Sequence, residues 1–180
     1  MPFTGSHPAA VLPFLRAGLV PAALVIGSMA PDLPYYVPIP ADRPLTHSAL
    51  GVVTVDLVMA LGCFVLWVWL LAPAFVVIAG DRLRRRLPPG TPAPLRRYAS
   101  VRVVAVLVLS CAVGAATHVL WDAFTHSGTW GPEHIEWLRK RQGVLRGYRW
   151  AQYVSGFAGF VALTLVFVRW WRRAEPGERS

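Results

Sequence analysis

Cysteine and acidic side chains are scarce in this 180-residue chain: two cysteines, and nine aspartates and glutamates against eighteen lysines and arginines. Cys63 and Cys111 both fall inside apolar runs, where they read as small apolar side chains and exclude a disulfide framework. The N-terminus has neither a basic stretch nor a small-residue cleavage site, so no removable signal peptide is expected. No nucleic-acid recognition module accompanies the arginines, which removes the usual partner of a basic protein. The excess lies elsewhere. The chain is 55% hydrophobic with a mean hydropathy of +0.47, concentrated in long runs. That composition belongs to a membrane protein, with the lipid bilayer as its partner.

The runs predict an all-α, polytopic membrane helical bundle in a single domain over residues 1–180. Three firm transmembrane spans are expected at 49–79, 101–124 and 151–168, the first kinked at Pro73. The stretch 8–30 is apolar but interrupted by Pro13, Arg16, Gly18 and Pro21. It reads as a helical hairpin, helices over 8–16 and 21–30 joined at Gly18, or as one short span. Residues 31–46 form an interfacial loop with Tyr35 and Tyr36 at head-group depth, and Thr46 or Ser48 caps the helix that follows. Residues 81–100 are an Arg- and Pro-rich loop, and 127–150 are polar, with an interfacial amphipathic helix expected there. The stretch 82–102 carries seven arginines and the C-terminus from Arg169 four more, both on one side of a three-span protein. The other side has Arg43, Arg139, Lys140, Arg141, Arg146 and Arg149. The positive-inside rule makes the first side cytoplasmic.

Ligand-type residues gather on the second side. His118, Asp122 and His126 recur every fourth residue near the end of the second span. On a helix they drift only about 40° per step and stand roughly 6 Å apart, so they form one stripe. His47 lies at the start of the first span, on the same side. A hairpin over 8–30 returns His7 and Asp32 to that side too, completing a set of His7, Asp32, His47, His118, Asp122 and His126. Imidazole and carboxylate donors suit a divalent metal, zinc foremost, with manganese or iron as alternatives, and the absence of nearby Cys or Met argues against Cu(I). Asp122, between two histidines, is placed to bridge two ions. Two carboxylates beside the imidazoles suit a hydrated metal better than a haem. Asp56 reads either as an interhelical hydrogen-bond partner or as a carboxylate orienting a ligand histidine. Gln152 and Ser155 read as interhelical hydrogen-bond formers, Tyr35, Tyr36, Trp130 and Trp137 as belt residues, and His134 as a surface side chain.

Four stretches taken in order resemble the bacterial membrane family called domain of unknown function 4184. They are Gly5-Ser6-His7-Pro8-Ala9-Ala10, Gly27-Ser28-Met29-Ala30-Pro31-Asp32-Leu33-Pro34, Thr46-His47-Ser48, and His118 through His126. The resemblance covers nearly the whole chain. More distantly, the order is similar to the membrane-bound metal-dependent hydrolases and to zinc-dependent phospholipase C, an all-helical fold holding a zinc cluster. That resemblance implies His7, Asp32, His47, His118 and Asp122 as ligands, Asp122 bridging, and His126 on a further ion. The phospholipase pattern also has a later His and Glu four apart, which Glu133-His134-Ile135-Glu136 matches poorly. The expectation is a metal-dependent hydrolase of phosphoesters in lipids or amphiphiles. Metal-activated water would attack and Asp32 would take its proton, at a site on the non-cytoplasmic face of a bacterial cell membrane. The alternative is a non-catalytic metal-binding or structural membrane protein.

Overall fold

A computed structural model describes residues 4–177. The chain starts in a 3₁₀ segment, Thr4–Arg16, turns at Gly18, whose φ of +75° a side chain would strain, and returns as α1 (Pro21–Gly27). A 3₁₀ turn over Ala30–Tyr35 leads to α2 (Arg43–Thr46) and α3 (Ala49–Val53). Then come α4 (Val55–Leu66), a π-helical turn over Trp67–Leu71, α5 (Ala72–Ile78) and α6 (Asp81–Arg84). The long α7 (Val101–Thr125) is followed by α8 (Trp130–His134), α9 (Glu136–Arg139), a hairpin of β1 (Arg141–Gln142) and β2 (Leu145–Arg146), and α10 (Gly147–Arg173). Three helical stretches are long and apolar enough to cross a membrane: Val55–Ile78, Val101–His134, whose unbroken helix is α7, and Gly147–Arg173.

The N-terminal pair doubles back along α7. The Val20 amide donates to Ser110 Oγ at 2.9 Å, and the Ser28 carbonyl meets His118 Nδ1 at 2.8 Å, so α1 runs alongside α7 and in the same direction. His7, at the far end of the 3₁₀ segment, reaches Asp122. The hairpin is therefore the form taken by the broken stretch, with His7 and Asp32 at the same end. Two glycines permit the closeness. A Cβ on Gly27 would run into the Cys111 carbonyl, and one on Gly114 into the Leu24 carbonyl. Small residues at such crossings let backbones touch where no hydrophobic effect drives helices together. Ala23, Ala60, Phe64, Leu107 and Cys111 complete the core, with Tyr98 edge-on to Phe64 at 5.1 Å.

The structure refines four local expectations. Pro8 and Pro13 remove two donors from any α ladder, and residues 4–16 wind as the tighter 3₁₀ form instead of an α-helix over 8–16. The first span is not continuous: it breaks at Thr54, whose hydroxyl takes the Leu50 carbonyl at 2.6 Å in competition with the ladder. The distortion forced by Pro73 is absorbed before the proline, in the π turn at Trp67–Leu71. The stretch 127–150 forms two short helices and a hairpin turning at Gly143, not one amphipathic helix.

The two ends of the bundle differ. At one end Arg86 lies 4.4 Å over the Trp171 ring and the Gly177 amide donates to the Arg85 carbonyl, so the arginine loop and the end of α10 meet. At the other end the start of the 3₁₀ segment, the Ala30–Tyr35 turn, α2, the end of α7 and the start of α10 converge on the six ligand-type residues.

Candidate metal centre

Asp122 stands at the centre. Its Oδ2 faces His47 Nε2 at 3.2 Å and His118 Nε2 at 3.7 Å, and its Oδ1 faces His7 Nε2 at 3.2 Å and His126 Nδ1 at 3.3 Å. Asp32 completes the first group: its Oδ1 is 3.4 Å from His47 Nε2 and 3.5 Å from His118 Nε2. One donor atom each from Asp32, His47, His118 and Asp122 lies within 4.8 Å of every other, so this cluster can hold a metal ion. His7 and His126 stand outside that group of four, on the other oxygen of Asp122. All six residues named from the sequence are thus brought together, and His134 is not: it stacks on Trp130 at an exposed position.

The donors fit an ion on two counts. Ligands at about 2.1 Å from a tetrahedral ion stand roughly 3.4 Å apart, and the four N···O separations between the His47 and His118 nitrogens and the Asp32 and Asp122 oxygens run from 3.2 to 3.7 Å. Yet His47 Nε2 and His118 Nε2, both buried, make no hydrogen bond. They approach the carboxylates without the alignment of a donor to an acceptor. Buried polar atoms left in that condition call for a partner.

The far side of each ring explains the aim. A carbonyl only accepts, so His118 Nδ1 donates to Ser28 and His7 Nδ1 donates to Thr4 O at 3.3 Å. The Thr46 hydroxyl is directed to the Arg43 carbonyl and so accepts from His47 Nδ1 at 3.0 Å. Each of these three rings is therefore held by Nδ1–H on its outer side with Nε2 turned inward, the orientation that metal-ligating histidines take; His7 Nε2 also donates to Asp122 Oδ1 at 3.2 Å. His126 is the reverse. The Thr125 hydroxyl donates to the Trp121 carbonyl and accepts from His126 Nδ1 at 3.3 Å, while His126 Nε2 meets Gln152 Nε2 at 3.2 Å.

Asp56 plays neither part expected of it. It is fully buried and neither oxygen is hydrogen-bonded. The histidines take their outer partners from Thr4, Ser28 and Thr46 instead.

Several residues reach the site that the sequence reading did not place there. Arg43 Nη2 lies 3.5 Å from Asp122 Oδ2. Thr4 Oγ1 donates to Asp32 Oδ2 at 2.6 Å and contacts Tyr36 Oη at 2.9 Å. Tyr35 lines a polar cavity of about 160 Å³ that opens onto Asp32 and Asp122, with Arg43, Arg149 and Gln152 on its wall. Gln152 does bond between helices, as expected, but its partner is a site histidine. The sequence did carry one signal for the threonines: His47 and His126 each follow the threonine that meets their own Nδ1.

Burial alone would push the Asp32 carboxyl up, but the imidazoles of His118 and His47 and the Thr4 hydroxyl hold it well below the usual carboxylate range. Burial would likewise push His47 down, and the carboxylates of Asp122 and Asp32 outweigh it, lifting the imidazole to about 9. Without an ion, His47 carries the proton that balances the two acids.

The model of one family, described as Domain of unknown function (DUF4184), matches residues 1–180. No curated protein and no solved structure matches the chain significantly.

Proposed function

The chain belongs to that family, whose description assigns no activity, and from the geometry of the cluster we propose that it is a membrane-bound metal-dependent hydrolase acting on phosphoesters in lipids or amphiphiles. The observation that carries this reading is the pair of unbonded, buried Nε2 atoms facing two carboxylate oxygens at ligand spacing. A divalent cation, zinc first among the candidates, would supply a Lewis acid for a phosphoryl oxygen and a water acidified to near neutrality. Asp32, His47, His118 and Asp122 would hold it. His7 and His126 would hold the other oxygen of Asp122, or would receive a second ion there, which Asp122 would then bridge as expected from the sequence. Asp32 lines the polar cavity, stays ionised and has one oxygen fixed by Thr4. It is the group we assign to take the proton from the attacking water. Arg43 and Arg149, on the wall of the same cavity, would neutralise the phosphoester.

One observation favours a non-catalytic reading. Four protein donors complete a tetrahedral zinc site, and closed sites of that kind are structural, whereas catalytic ones leave a position open. A single experiment separates the readings. Protein extracted in mild detergent is analysed for zinc, manganese and iron, and assayed on phosphodiester and phospholipid substrates alongside Asp32→Asn. The hydrolase reading expects at least one ion per chain and turnover that Asp32→Asn lowers by about 10²-fold or more, the usual weight of a general base. Stoichiometric metal with no turnover by the unaltered protein leaves a metal-binding protein, and no metal at all removes both.

A further inference from the structure

The cleft between α7 and α10 holds more than the polar cavity. Further along it, away from the site end, lies an apolar groove of about 610 Å³, walled by Phe14, Leu120, Trp121, Phe124 and Val154. Its hydroxyls are turned away from any occupant. Thr117 donates to the Gly114 carbonyl, Thr125 to the Trp121 carbonyl, and Ser155 accepts from Trp121 Nε1 at 2.9 Å. The groove therefore offers hydrocarbon and almost nothing else. It is not separated from the centre: Trp121, which walls it, lies 5.6 Å from the His7 ring, and Thr125 and Ala151 of its lining directly precede His126 and Gln152 of the polar cavity. In the opposite direction Tyr148 and Arg149 belong both to the polar cavity and to a basin of about 650 Å³ lined also by Arg139, Lys140, Arg141 and Arg146. Five of the six basic residues at this end of the bundle thus line one concavity.

We infer that the site takes a long-chain phosphate ester drawn sideways from the bilayer, its hydrocarbon chain in the α7–α10 groove, its phosphate over the cluster and the anionic remainder of its head in the basic basin. The order apolar, metal-binding, basic along one cleft matches the order chain, phosphate, head in such a molecule. An ordinary hydrocarbon-filled surface has the groove without the basin, and a site for a soluble phosphate has the basin without the groove. This inference rests on the phosphoester reading for its chemistry, but its binding does not require turnover.

The test places the full chain in lipid nanodiscs with a long-chain alkyl phosphate carrying a photoreactive diazirine near its chain end, and with the matching alkyl alcohol. Labelling is expected to concentrate on Leu120, Phe124 and Val154, and to favour the phosphate over the alcohol by roughly tenfold, the discrimination that charge-assisted hydrogen bonds give. Arg149→Gln should erode that preference, and Val154→Trp, at an exposed position, should fill the groove and move labelling out of it. Both variants are checked for unchanged metal content and thermal stability. Labelling spread evenly over Val58, Val77 and Phe167, or equal labelling by the alcohol, makes the groove a seat for any bilayer lipid and overturns the inference. So does competition by inorganic phosphate as effective as that by unlabelled long-chain phosphate. Groove labelling by a protein that turns over nothing supports the binding inference and removes the hydrolase; turnover of a soluble phosphodiester without groove labelling does the reverse.

Discussion

His47 lies 3.2 Å from Asp122 Oδ2 and 3.4 Å from Asp32 Oδ1, and its pKa of about 9 makes the centre pH-sensitive in a direction that can be worked out. Because that pKa lies above the ordinary 6.5, the stabilisation from His47 is fully present below about 6.5 and is lost as pH rises through 9. Asp32 is displaced the other way. Its share is present above its ordinary 3.8 and is lost as pH falls below that value toward its depressed folded pKa. The metal-free protein should therefore hold both contributions in full between these two ordinary values and melt lower on either side, as thermal unfolding in chelator across pH would record. A cation must displace the His47 proton, so zinc affinity should rise roughly tenfold per pH unit and level off near 9. Affinity that is flat from pH 6 to 9 would mean that His47 is not a ligand.

The contact of α1 with α7 sets the outer support of His118, and it is backbone on backbone. With Gly114 against Leu24 and Gly27 against Cys111, no flexible side chain is available to give way. Gly114→Leu should lower stability by about 1–3 kcal/mol or more, as overpacking does, and should weaken metal binding as well, because it displaces the Ser28 carbonyl from His118 Nδ1. Gly62→Ala is the control: open space surrounds that position on α4, and stability should hold or rise by about 0.5–1 kcal/mol. Elements also mark what the sequence could disclose. The stripe of His118, Asp122 and His126 follows from the repeat of a single helix, and the hairpin from where Pro and Gly interrupt an apolar run, so both were legible. Arg43 was read only as a charge and Tyr36 only as a belt residue, because their roles arise from a loop folding over another element, which no periodicity encodes. The break at Thr54 escaped for a related reason: a hydroxyl competing for a carbonyl leaves hydropathy unchanged.

For the whole molecule the open matter is which way the centre faces. The contacts of Arg86 with Trp171 and of Gly177 with Arg85 join the arginine loop to the end of α10, so those basic groups lie at one end of the bundle. The six basic residues at the site end oppose them but are outnumbered. From the positive-inside rule we propose that the centre faces the non-cytoplasmic side, where a substrate in the outer half of the bilayer would reach it. Two single cysteines test this. Val144, at the tip of the β-hairpin, is 74% exposed, and Leu95, in the arginine loop, is 44% exposed, so each will present a thiol to solvent. In intact cells that express the chain a membrane-impermeant maleimide should label Val144→Cys, and should label Leu95→Cys only after the cells are broken. The unaltered chain serves as the blank, since Cys63 and Cys111 lie within apolar helices. The opposite pattern would turn the centre toward the cytoplasm and its soluble phosphoesters. Labelling of both positions from outside would mean that the chain does not cross the membrane an odd number of times between them, against the single span of α7 that separates Leu95 from Val144.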